Sequence, residues 1–357
     1  MDRPNCYILL SGKDGDSTAT MKALKYLFII GDSFSWTYFN LNGPKPSLEN
    51  PLGNPNWPGV TTAGNGPNWV GHLISKYNAT DIMTYNFADG GATVNCSLVA
   101  PRMPYPDRVR CAYDQVKQFR DEIATTPRPA HANWTSENTL FAIWVGLNDL
   151  GNDWHRFPKG YDEHAWQNQL LHQYHYRRDL MREVLKQTFE QVDLLYKEGV
   201  RNFAFFTLPR RSSPLSTAHH ITPWRAKRQA STSHISAALQ FTPAMRAQSA
   251  DPLGRDLMHA ILSEYNALLA RRVARYHSDT RKLGVKSVLV DVRPAFRIPL
   301  EHPANFGAVD GSCFNWDGWS CLWANDYHPG QAINDLLARS VALSWGEEDG
   351  FFANAGA

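Results

Sequence analysis

A three-layer α/β/α sandwich built on a five-stranded parallel sheet is the fold this sequence predicts. Five short apolar runs are separated by much longer segments, and several of those segments carry apolar residues at helical spacing. Runs apolar along their whole length are what strands covered on both faces require, which favours a parallel sheet over an antiparallel one.

The first run, "YLFII", predicts a strand over Tyr26–Ile30 that stops at Gly31. "DIMTYNFADGGAT" places the second strand at Ile82–Phe87, ahead of Gly90 and Gly91, and "NTLFAIWVGLNDLGND" the third at Leu140–Val145. "VRNFAFFTLP" and "VKSVLVDVRP" supply the last two, each stopped near a proline that has no amide hydrogen to give to a neighbour. Between strands, Leu180, Val184, Leu185, Phe189, Val192 and Leu195 form one helical stripe, and Leu257, Ile261, Tyr265, Leu268, Leu269, Val273 and Tyr276 form another. Glycine follows both. One domain over residues 25–345 accommodates all of this, with an N-terminal extension at 1–24 and a short polar or weakly ordered tail at 346–357. The Gly/Pro/Asn-rich stretch from Leu41 to Asn68 and the Ser/Thr/Pro-rich stretch from Ser212 to Pro252 read as surface insertions.

The 357 residues carry 43% hydrophobic and 20% charged side chains, with a net charge of only +2. Nucleic-acid binding is not expected at that charge, since phosphate recognition needs a concentrated basic footprint. No apolar run reaches membrane-spanning length, and Lys22 and Lys25 interrupt what would otherwise resemble a leader. Three Asn-X-Ser/Thr triplets, at Asn78, Asn95 and Asn133, nevertheless favour export. Of five cysteines, Cys96 with Cys111 and Cys313 with Cys321 bracket short loops, so that two disulfides or reduced buried thiols are both open readings.

Residues just past the carboxyl ends of parallel strands converge, which would gather Ser33, Gly91, Asn148 and the late His328 at one edge of the sheet. Ser33 sits at a strand-to-helix turn, where a nucleophile is exposed on rigid backbone. Gly91 can offer a backbone N–H and Asn148 a side-chain amide to an oxyanion, while His328 can take the serine proton and return it to a leaving alcohol. The stretch "GDSFS" has neither the length nor the lysine of a phosphate-binding loop, and no paired carboxylates call for a metal, so no cofactor or metal is expected.

In four ordered blocks, "GDSFS", "NFADGGAT", "GLND" and "NDYHPG", the chain resembles the GDSL/SGNH hydrolase superfamily, and particularly fungal acetyl esterases acting on plant carbohydrate esters. The resemblance spans about Lys25 to Ala342, and "GNGPNWVGHL" is similar to the segment that follows the first block in that subgroup. It implies Ser33 as nucleophile and first oxyanion donor, Gly91 and Asn148 as the other donors, and His328 as base. The family's orienting carboxylate commonly stands three residues before the histidine, where this chain has Asn325. Asp326, two residues before, is the preferred orienter, with Asn325 or a Ser-His dyad as alternatives.

The resulting expectation is a serine esterase releasing acetate from acetylated hemicellulose-derived oligosaccharides, extracellular and cofactor-free. Trp36, Tyr38, Trp57, Trp154, Trp316 and Trp319 fall in or near strand-end loops where flat rings can stack on sugars. A lipase or phospholipase of the same superfamily, and an inactive carbohydrate-binding protein, are the competing readings. Oligomeric state is not legible.

Overall fold

The computed structural model describes residues 24–55, 62–152, 163–209, 252–353 and 355, and only the backbone of 163–173 and 252–257. Trp57, Trp154, the N-terminal extension and nearly all of the Ser212–Pro252 insertion lie outside the described residues.

The five expected strands form one parallel sheet in the order β2-β1-β3-β4-β5: β1 Lys25–Gly31, β2 Ile82–Asn86, β3 Thr139–Trp144, β4 Asn202–Phe206 and β5 Lys286–Val290. β1 therefore lies between β2 and β3, with Phe28 level with Tyr85 on one side and with Phe141 on the other. The chain passes from β1 to one neighbour and later returns to the other, and the crevice at that switch is where open sheets of this kind place their chemistry.

Helices cover both faces. On one, α1 (Trp69–Lys76) packs against α7 (Gln331–Trp345), which also meets α6 (Arg293–Glu301) and β5. On the other, α2 (Ala112–Glu122) lies against β1 and α4 (Glu163–Lys197), and α4 against α5 (Pro252–Thr280), which reaches β5. A short helix, α3 (Leu147–Gly151), follows β3 directly.

Strand alternation sends aromatic side chains to both layers. Phe28 stacks on Phe141 at 5.0 Å and meets Phe119 of α2 edge-on at 5.0 Å. Trp144 stacks on Phe206 at 5.1 Å, and both lie against Trp69 of α1, at 6.3 and 5.2 Å. Each fully buried ring contributes about 1.5–3 kcal/mol of transfer free energy, so the two clusters lock both helix layers onto the central strands.

Two expectations need correction. The segment after Trp345 is not a loose polar tail: Phe351 and Phe352 are buried, and Ala79 N–H donates to Phe351 O at 2.9 Å while Ala353 N–H donates to Tyr77 O at 2.8 Å. Two adjacent phenylalanines dock the segment although charged residues precede them. The stretch from Leu41 is likewise more than a surface insertion, because Leu41 and Leu52 are buried in the core. Both expected disulfides form, Cys96–Cys111 and Cys313–Cys321, with Cα atoms 5.7 and 5.5 Å apart. Among the described residues, no helix is long and apolar enough to cross a membrane.

Candidate active site

β1 ends at Gly31, and the chain turns at once through Asp32, Ser33 and Phe34. The turn is closed by Ser35 N–H donating to Asp32 O at 3.0 Å and Phe34 N–H donating to Asp32 Oδ1 at 3.0 Å. Side chains with no distinguishing local pattern brace it. Buried Gln115 of α2 accepts from Gly31 N–H and donates to Gly31 O, both at 2.9 Å. Asn86, at the end of β2, donates to Ser35 O at 2.6 Å, and Trp69 Nε1–H donates to Ser35 Oγ at 3.2 Å. A Cβ at Gly31 would come within 2.9 Å of Trp144 O, so glycine lets β1 and β3 stay close just before the nucleophile.

Two other strand-end turns rest on glycines with left-handed backbone. Gly91 has φ +76°, and Gly146, just ahead of Asn148, has φ +118° and leaves no room for a Cβ beside the Tyr265 hydroxyl. Asn148 gives one side-chain N–H to Ala92 O at 2.9 Å. That bond ties the Asn148 amide to the Gly91 turn and leaves its second N–H for another acceptor.

His328 arrives from the loop before α7. It lines one small open recess together with Ser33, Phe34, Thr62, Gly64, Asn68, Pro329 and Asn334. Its ring meets Phe34 edge-on at 5.8 Å. Asn334 fastens α7 to α1 directly behind, accepting from Trp69 N–H at 3.1 Å and donating to Pro329 O at 2.9 Å.

The partner of the imidazole is Asn325. Its Oδ1 lies 2.9 Å from His328 Nδ1 and also accepts the backbone N–H groups of Tyr327 and His328, both at 2.9 Å. Its Nδ2 donates to Ala63 O at 2.8 Å, which fixes the amide with its oxygen toward the ring. Nδ1 therefore carries the proton, and Nε2 is left as the basic nitrogen. This corrects the preference for Asp326. That residue is exposed, because the turn that brings the Asn325 side chain back to residue 328 sends the next side chain outward. With no carboxylate to offset it, burial holds the His328 pKa down to about 4.

Two carboxyls lie buried beneath the elbow. Burial pushes Asp32 up to about 7. Asp149, whose oxygens accept Val94 N–H at 3.1 and 3.2 Å, is also raised to about 7 by burial, with the charge of Asp32 adding to the effect. Each holds its proton more tightly in the folded than in the unfolded chain. Their contribution thus favours folding at acid pH and is lost as pH rises from about 4 to about 7. Asp32→Asn should therefore gain thermal stability over the native protein as pH rises through that window. By pH 7 the gain should reach roughly 3 °C or more, the shift that about 1 kcal/mol produces in a large domain. A Tm difference that does not change with pH would contradict this.

A family model described as GDSL-like lipase/acylhydrolase matches residues 27–341. This chain belongs to that family. A curated acetylesterase of Thermothelomyces thermophilus is 36% identical over 321 residues, covering 90% of this chain and 88% of the relative. An acetylesterase of Hypocrea jecorina is 28% identical over 138 residues, 35% of each chain. Among solved structures, Axe2, an acetylxylan esterase from Geobacillus stearothermophilus, is 14% identical with a TM-score of 0.43, covering 91% of this chain and 95% of that one. This GDSL-family protein is a carboxylic ester hydrolase.

Proposed function

We propose that this protein is a carbohydrate acetyl esterase in which Ser33 is the nucleophile, His328 the general base, and Ser33 N–H, Gly91 N–H and the Asn148 amide the oxyanion donors. The observation that carries the reading is the shared recess of Ser33 and His328, with Nδ1 of the imidazole tied to Asn325 so that Nε2 is the free base. His328 takes the Ser33 proton as Oγ attacks the ester carbonyl. The oxyanion gathers the three donors, and the imidazolium returns the proton to the departing sugar oxygen. Water then repeats the sequence on the acetyl-serine, releasing acetate. Asn325 keeps the imidazole in the useful tautomer without supplying a full negative charge.

Carbohydrate as the alcohol is supported by aromatic side chains on the loops that carry Ser33 and lead to His328. Trp36 and Tyr38 stack at 3.7 Å, and Tyr38 is half-exposed with a left-handed backbone, φ +61°, rare for a bulky residue. Trp316 and Trp319 are 54% and 69% exposed in the disulfide-closed loop that leads to His328. Flat exposed rings on firmly held backbone suit the apolar faces of sugars. Two disulfides support an extracellular setting.

The deciding experiment measures acetate release from acetylated xylo-, manno- and pectic oligosaccharides beside short and long acyl esters. Acetate release from the xylo-oligosaccharides well above hydrolysis of long acyl esters is expected. A preference for long acyl chains would replace this reading with a lipase.

A further inference from the structure

The loop closed by Cys96–Cys111 packs on the Gly91 turn. A Cβ built on Gly91 would run into the side chain of Met103, whose Sδ would be 3.1 Å away. Met103 thus packs directly on the Gly91 turn. The neighbouring chain is fastened to the helix that bears Asn148: Arg102 Nη1 donates to Asn152 O at 3.2 Å, and Asn152 Nδ2 donates to Ala100 O at 3.0 Å. Thr93 Oγ1 donates to Val99 O at 2.7 Å, pinning the start of the same loop. Segment 99–103 therefore spans from the Gly91 turn to the end of α3, with Met103 resting on the Gly91 turn.

The two helix layers give this position a direction. The 96–111 loop runs into α2, on the sheet face carrying Phe28 and Phe119. His328 comes from the loop before α7, which packs with α1 on the opposite face. The tetrahedral carbon formed on Ser33 has four substituents: Oγ, the oxyanion, the leaving oxygen and the acyl carbon. The leaving oxygen must face His328 to receive its proton, and the oxyanion must face its donors. The acyl carbon then lies off the His328 side and next to the oxyanion, where the Gly91 turn and the Met103 side chain resting on it border it.

We propose that Met103 is the wall of the acyl pocket and sets the preference for acetyl over longer acyl groups. This rests on the reading of Ser33, Gly91 and Asn148 as the reacting site. An acetyl methyl fits beneath the thioether, whereas each further methylene must displace it. Discrimination of this kind is worth about 10-fold or more per methylene in a shaped pocket, and a half-exposed methionine that can yield places this site at the lower end.

The test is the acyl-length profile. We expect the native protein to show a falling kcat/KM from p-nitrophenyl acetate through butyrate to hexanoate. Met103→Ala should raise the propionate-to-acetate ratio by about 10-fold, and Met103→Phe should lower it. An equal fall on all esters in Met103→Ala would mean that the side chain only props the Gly91 turn, and an unmoved ratio would place it outside the acyl pocket. Either result overturns the assignment while leaving the esterase reading intact. A native protein that hydrolyses none of these esters would overturn both.

Discussion

Ser33→Ala should abolish ester hydrolysis, with a loss of kcat on the order of 10⁴–10⁶-fold, and should leave the fold intact. The nucleophile's only proposed covalent role is through Oγ, and the elbow around it is held by groups the substitution does not touch. Gln115 brackets Gly31, Asp32 holds Phe34 N–H, and Asn86 holds Ser35 O. The melting temperature should therefore stay within about 1 °C of the native value, since surface-side changes away from such contacts are nearly neutral. A serine-reactive fluorophosphonate should label the native protein at Ser33 and fail to label the variant. Near-native hydrolysis by a folded Ser33→Ala protein would remove the mechanism altogether.

The second large effect concerns the partner of His328. Because burial holds the imidazole down to about 4, it remains neutral, and so competent as a base, down to that pH. The acid limb of kcat/KM against pH should accordingly lie near 4, well below the ordinary histidine value. Asn325→Asp keeps the oxygen that faces Nδ1 and adds a negative charge, which favours the imidazolium. The acid limb should then move to higher pH. The substitution also sets a second oxygen against Ala63 O, where Nδ2 now donates, so the gain in charge stabilisation comes with a loss of anchoring. Asn325→Ala removes the tautomer lock and three accepted hydrogen bonds, and should cost about 10²–10⁴ in kcat, the scale seen when a catalytic histidine loses its orientation. Asp326→Asn should change the rate by less than about 3-fold, as expected for an exposed side chain away from the ring. A larger loss from Asp326→Asn than from Asn325→Ala would reverse the assignment.

The contrast between these two residues shows where sequence reading gave out. The two candidates are adjacent in "NDYHP", and chemistry alone favours the carboxylate as an imidazole partner. What decides between them is the turn, in which Asn325 Oδ1 accepts two backbone N–H groups as well as facing the ring, together with Ala63 O from a loop 262 positions away in sequence. The bracing amides Gln115, Asn86 and Asn334 are invisible in the sequence for the same reason. Each is an ordinary polar residue in its own segment, and gains its role only from backbone groups brought to it by other elements. The tail shows the converse error: a segment read as polar or weakly ordered is docked by two buried rings, Phe351 and Phe352.

The sequence by itself determined the strands, the parallel sheet and the turns carrying Ser33, Gly91 and Asn148, because burial on both faces and the need for glycine are local demands written into consecutive residues. Only the tertiary structure decided which side chain faces His328, what braces the nucleophile's turn, and that Met103 lies on Gly91. Those depend on the direction of side chains across loops distant in sequence, and a one-residue change in a turn reverses such a direction without altering any local pattern.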